Sequence, residues 1–150
     1  MIEFMRKVFS VFIITLIFTQ ALSKPFKKDD LIIKPNGLYY FKSKELPFTG
    51  YISGPYIETI TEYQKQYFIK RYIEGKIING KREGIWLTYS EKGNLLFKTF
   101  YENGSHNGIW ETYHENGNIK LKGSYKNSKL FGVWQSYSKN GVLIDKVKYN

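Results

Sequence analysis

Residues 84–107 read GIWLTYSEKGNLLFKTFYENGSHN, residues 108–131 read GIWETYHENGNIKLKGSYKNSKLF, and residues 132–150 read GVWQSYSKNGVLIDKVKYN. Set one above another, the lines share Gly84-Ile85-Trp86, Gly108-Ile109-Trp110 and Gly132-Val133-Trp134 at their start. Tyr89, Tyr113 and Tyr137 follow in one column, Gly93, Gly117 and Gly141 in the next, and Tyr101, Tyr125 and Tyr149 in a fourth. Four columns with a single period of 24 residues make this a repeat array, in which each unit buries its apolar face by stacking on its neighbour.

Each unit divides into two short strands. Trp110-Glu111-Thr112-Tyr113 exemplifies the first, and Glu115-Asn116-Gly117-Asn118 the turn after it. Asn and Gly accept the positive φ that tight hairpins need. The second strands are residues 95–101, 119–125 and 143–149, and they alternate. Leu95, Phe97, Thr99 and Tyr101 share one face, as do Ile119, Leu121, Gly123 and Tyr125, then Leu143, Asp145, Val147 and Tyr149, with Asp145 the one misfit. Lys98, Lys120, Lys122, Lys146 and Lys148 fall on the other face, so period two puts the first set in a packed layer and the lysines in water. Two strands and two turns use the whole period and leave no length for a crossover helix. The expected fold is all-β, an elongated, twisted antiparallel sheet of stacked hairpins.

Composition agrees. The 150 residues hold 13 Tyr, 11 Phe and 3 Trp, and the single Ala, Ala21, lies in the N-terminal apolar stretch. Aromatics suit pleated surfaces, and Ala is the best helix former. With no Cys, a disulfide framework, a thiol nucleophile and thiolate-held zinc or iron–sulfur sites are excluded.

Upstream the register fades. Ile77-Ile78-Asn79-Gly80 stands one period before Tyr101-Glu102-Asn103-Gly104, and Tyr67–Tyr72 alternates as a strand, with Glu74-Gly75 expected as a turn. Gly50 lies 34 residues before Gly84, a period plus ten, which places an insertion with Pro55 near residues 53–60. The four prolines all precede residue 56 and suit an irregular cap. The expected division is a leader over 1–23, a mobile segment over 24–36, degenerate repeats with an insertion over 37–83, and regular repeats over 84–107, 108–131 and 132–150. The leader reading rests on Arg6 and Lys7, the apolar run Val8–Thr19, and Ala21-Leu22-Ser23, the three-part pattern of a secretory signal. The run is too short for a bilayer that needs about 20 residues. Export to the periplasm, the cell envelope or the exterior follows as an expectation. Cleavage after Ser23 changes the net charge from +10 to +9.

No catalytic, cofactor or metal site is expected. His106 and His114 fall in or beside different turns and in no repeated column, and Glu91 and Glu115 are equivalent turn acids about 9.6 Å apart by the spacing of two strands. The candidate partner-binding residues are the repeated ones: Trp86, Trp110, Trp134, Tyr89, Tyr113 and Tyr137, with Lys98, Lys120, Lys122, Lys146 and Lys148. The tryptophans read either as an aromatic groove or as the core of a thin sheet. The lysines read either as a docking surface for an acidic partner or as a solvated face that guards the sheet against edge pairing. Export argues against nucleic acid, and an anionic envelope surface is the better electrostatic partner. No oligomeric state is implied.

The pattern Gly-x-Trp-x-x-Tyr-x-x-x-Gly-Asn-[Leu/Ile], followed by Tyr-x-Asn-Gly, resembles the MORN-repeat-variant family, whose bacterial members include YwqK-type antitoxins. Pro47-Phe48-Thr49-Gly50 resembles the opening segment of such proteins, so the likeness runs over about residues 37–150. It implies stacked hairpins and a non-catalytic role: contact with an unidentified protein, contact with membrane lipid, or neutralisation of a partner toxin. Ser128 departs from the pattern, standing where Gly80 and Gly104 close their turns.

Overall fold

In a computed structural model that describes residues 26–62 and 65–150, the repeats are laid side by side as consecutive strands of one sheet. The strands are β1 (Phe26–Lys27), β2 (Leu31–Ile33), β3 (Tyr39–Phe41), β4 (Gly50–Glu62), β5 (Lys65–Ile78), β6 (Lys81–Ser90), β7 (Leu95–Glu102), β8 (Ser105–Tyr113), β9 (Ile119–Lys126), β10 (Lys129–Tyr137) and β11 (Leu143–Tyr149). From β4 to β11 every neighbour in space is the neighbour in sequence, all antiparallel; β1 adds in parallel on the far side of β4. Eight antiparallel strands at about 4.8 Å make a ribbon about 34 Å wide. The described residues contain no α-helix. The expected all-β ribbon of hairpins is what the chain forms.

The Gly-x-Trp motif has a job in this register. Lys76 pairs with Glu83, but the next residue back, Gly75, pairs with Trp86, so Gly84 and Ile85 are extra. The same step occurs between Tyr101↔His106 and Thr99↔Trp110, and between Phe131↔Ser124 and Gln135↔Lys122. It is a bulge, and its glycines sit at φ 70° (Gly84), 126° (Gly108) and 70° (Gly132), where a β-carbon is disfavoured. First strands therefore begin three residues before the glycine, at Lys81, Ser105 and Lys129.

The core lies at the N-terminal end of the ribbon. Leu31 on β2 and Tyr39 on β3 fold with Phe48 over one face of β4–β6, burying Ile52, Ile73, Ile77 and Trp86. Phe48-Thr49-Gly50 takes the place that Arg82-Glu83-Gly84 takes one unit later. Gly80 N–H donates to Phe48 O at 2.7 Å as Gly104 N–H donates to Arg82 O at 2.9 Å, and Asn79 N–H bonds Thr49 Oγ1 as Asn103 N–H bonds Glu83 Oε2.

Two expectations are corrected. Glu74-Gly75 is not a turn but the middle of β5, because the strand runs unbroken from Lys65 to Ile78. The insertion expected near residues 53–60 takes the form of a lengthened β4–β5 hairpin, whose pairing is continuous from Gly50↔Ile77 to Glu62↔Lys65, with Pro55 inside β4. That position is tolerable because β1 reaches only Ile52 and Ser53, so that among the described residues Pro55 has no strand beside it on that edge. The segment expected to be mobile contributes β1, a 3₁₀ turn over Lys28–Asp30, and β2 within its described part. The leader reading of residues 1–23 lies outside the described residues.

Candidate interaction surface

Opposed residues of a sheet share a face, so the registers sort the repeated side chains into two sets. On the face covered by β2 and β3 run Arg82, Trp86, Thr99, Tyr101, His106, Trp110, Tyr125, Leu130 and Trp134. Their rings form a chain. Trp86 meets Tyr101 at 6.1 Å, Tyr101 meets His106 at 4.2 Å, His106 meets Trp110 at 5.0 Å, Trp110 meets Tyr125 at 5.3 Å, and Tyr125 meets Trp134 at 5.2 Å between centroids. Arg82 closes the capped end, its guanidinium 4.3 Å over Trp86 and hydrogen-bonded to Tyr39 Oη at 3.0 Å and Tyr101 Oη at 3.1 Å. Burial alone lowers the Arg82 pKa; the two phenols outweigh it and the net shift is upward.

The tryptophans are spent on the fold. Trp86 is 2% exposed and Trp134 8%, and each lies flat on the preceding strand where a glycine leaves room. A β-carbon on Gly75 would sit 2.4 Å from Trp86 Cδ2, and one on Gly123 would sit 2.2 Å from Trp134 Cδ2. Each indole N–H then finds a backbone carbonyl, Lys76 O at 3.2 Å and Ser124 O at 3.1 Å. In the middle unit Thr99 occupies the glycine column, and Trp110 is only half-buried.

His106 is the residue most changed by the structure. It lies on β8, not in a turn, one period after Arg82 and one before Leu130. Its Nδ1 is buried without a hydrogen-bond partner. Burial, then the nearby Arg82 charge, lowers its pKa below the ordinary value. His114 stays beside its turn and ties it to the next unit, with Nε2 2.9 Å from Tyr137 O. Among the described residues no group of three His, Asp or Glu could hold a metal ion.

The opposite, open face carries the other candidates as stripes. The charged stripe runs straight across: Leu87 faces Lys98, Lys98 faces Glu111, Glu111 faces Lys122, Lys122 faces Gln135, and Gln135 faces Lys146. Lys98 and Glu111 form an ion pair at 3.5 Å. Lys120 is exposed two residues before Lys122 on β9, and Lys148 faces Val133. Beyond the charged stripe lie the tyrosines. Tyr89 donates to Glu74 Oε1 at 2.7 Å and Tyr113 to Glu111 Oε2 at 2.8 Å, while Lys122 Nζ sits 5.3 Å over the Tyr137 ring. Burial and then the carboxylate push the Tyr89 and Tyr113 pKa values up to about 12.

On the other side of the charges runs a stripe the pattern reading missed. Ile85, Ile109 and Val133, the middle residues of each Gly-x-Trp, are 47%, 38% and 39% exposed. The signal was in the sequence: that position is aliphatic in every unit, though the flanking Trp faces the other way. The eleven expected partner-binding residues thus do not form one site, since the tryptophans are on the capped face and the lysines and tyrosines on the open one.

No curated protein and no solved structure matches the chain. Residues 82–103 and 107–127 each match the family model described as the MORN repeat variant. The matched segments begin at Arg82 and Asn107, close to where β6 and β8 begin, and each covers one hairpin of the ribbon. These two successive hairpins are therefore similar to units of the MORN repeat variant.

Proposed function

We propose that this chain is an exported, non-catalytic binding protein whose repeated sheet surface holds another macromolecule. The observation that carries the reading is the open face: the same aliphatic, charged and tyrosine positions recur in register about every 9.6 Å, the spacing of two strands. A surface that repeats one chemistry is suited to an extended partner, whereas catalysis needs different groups converging on one point. The match of two hairpins to a repeat family whose units are generally binding modules supports the same conclusion. Export rests on the leader pattern of Met1–Ser23.

The test is cross-linking in the native cell, followed by purification of the tagged chain and N-terminal sequencing. The expected result is one macromolecule joined to the ribbon in fixed proportion and a mature N-terminus at Lys24. Turnover of a substrate by the purified protein, lost on changing a single side chain, would overturn the binding reading; an intact Met1 would overturn export.

A further inference from the structure

The open face has two properties that together describe its partner. The first is composition. Lys98, Lys122 and Lys146 stand in one line across β7, β9 and β11, with Lys120 and Lys148 each two residues from that line. Its one acid, Glu111, is held by Lys98, and the other acid of this face from β7 to β11, Glu102, lies at the far end of β7 beside Asn107. Next to this basic stripe, one step of two residues or about 6.7 Å along the strands, lie the exposed aliphatic side chains Ile85, Ile109 and Val133. The complement is a partner with apolar and acidic groups side by side.

The second property is period. Each stripe repeats at about 9.6 Å across the ribbon. An α-helix returns a side chain to the same line after seven residues, about 10.5 Å. An extended strand does so after two, about 6.7 Å. A polyproline-II chain does so after three, about 9.3 Å, within a few tenths of an ångström of the ribbon. Sheet twist adds a constraint on shape. Adjacent strands turn by about 20–25°, so a planar surface lies flat on only one or two of them, whereas a narrow chain can follow the face by winding with its turn.

We infer that the open face is a groove for an acidic polypeptide segment in polyproline-II conformation, with an aliphatic residue every third position on Ile85, Ile109 and Val133 and the neighbouring acids on Lys122 and Lys146. The inference rests on the binding reading above and names its partner. The tyrosine column Tyr89, Tyr113 and Tyr137 borders the basic stripe at the same period and supplies ring surface of the kind that such segments use.

The test uses the full chain and the synthetic peptide (Leu-Pro-Glu)5, titrated by fluorescence anisotropy. Comparison probes are (Leu-Pro-Gln)5, an acidic amphipathic helical peptide, and vesicles of phosphatidylglycerol and phosphatidylcholine. The expected result is saturable binding of (Leu-Pro-Glu)5, weakened about fivefold or more by Ile109→Ser, by Lys122→Gln, and by raising salt from 0.1 to 1 M. Thermal melts establish that both variants stay folded. Equal binding of the Gln peptide overturns the inference, as does binding of only the helix or only the vesicles. Loss on the capped-face variant Leu130→Ser, with Ile109→Ser unaffected, moves the partner to the other face and leaves the general binding reading standing. No binding of any probe overturns the groove, while the native cross-link decides the general reading independently.

Discussion

At the scale of single residues, the repeat acts as its own control, because each column shows what one position tolerates. Ser128 closes its turn at φ 62°, where Gly80 and Gly104 sit at 79° and 85°. A β-carbon there costs about 1–2 kcal/mol, partly offset by the greater freedom glycine has when unfolded. Ser128→Gly is expected to raise stability by about 0.5–1 kcal/mol in urea melts, and no change would show that the strain is relieved locally. The glycines under the indoles predict the reverse. Gly123→Ala forces the Trp134 ring off its carbonyl and is expected to cost about 1–3 kcal/mol by overpacking. The His106 column gives a signed pH effect. Because its pKa is lowered in the fold, the unfolded chain binds the proton first, so the stability this residue contributes is present above about pH 6.5 and lost as pH falls through the folded pKa. His106→Leu copies Leu130 and removes the unpartnered Nδ1, so the variant should lose less stability than the parent between pH 7 and pH 5. Parallel acid curves would refute that account. Tyr89 and Tyr113 act at the other extreme. Their phenols stay neutral in the fold to about 12, so the stability they contribute is present below about pH 10 and fades as pH rises toward 12.

At the scale of elements, the sequence was most legible where the period held. The strands β7, β9 and β11 fall within a residue of the expected spans, because alternation and Asn-Gly turns specify the register together. It was least legible where two periods compete. The expected first strand starts at its Trp, since the Gly-x-Trp glycine looks like a strand opening; in the sheet that glycine lies inside a strand that begins at Lys81, and it shifts the pairing. His106 was misplaced for the same reason. The stripes on the open face were read in part, the lysines from alternation; the aliphatic column was overlooked, although the same alternation that turns Trp86 to the capped face turns Ile85 to the open one. The long hairpin was hidden by Gly75, which reads as a turn residue and serves as a seat for Trp86. That hairpin carries its own prediction. β5 meets β6 only from Arg71, opposite Ser90, onward, so residues 57–62 and 65–70 form a two-stranded arm about 20 Å long beyond the ribbon. Replacing residues 57–70 with the four-residue turn Glu91-Lys92-Gly93-Asn94 removes ten residues and restores the 24-residue step from Gly50 to Gly84. An isolated two-stranded ribbon is marginal by itself, so the trimmed chain should fold with stability within about 1 kcal/mol of the parent. Failure to fold would mean that the arm is part of the core.

At the scale of the whole molecule, the array is unevenly built. The buried cluster joins β2 and β3 to β4–β6, whereas in β11 every side chain is exposed. Between these ends the capped face is a single layer of rings, half-buried, with Thr99 and Trp134 its buried members beyond β6. In a quasi-one-dimensional array each unit is stabilised by itself and its neighbours, so a gradient of burial becomes a gradient of local stability. Amide exchange should be slowest around Ile52, Ile73 and Ile77 and fastest along β11. The same gradient can be followed by fluorescence, because the indoles mark three depths along it. With two of the three tryptophans replaced by Phe, Trp134 alone should report an unfolding midpoint at lower urea than Trp86 alone, with Trp110 between them. Separate midpoints would also mean that a partner lying across β6 to β10 joins the weak units to the strong one, and that binding raises the Trp134 midpoint more than the Trp86 midpoint. Coincident transitions for all three reporters would show that the ribbon unfolds as one cooperative block, in which case the capped end confers its stability on every strand.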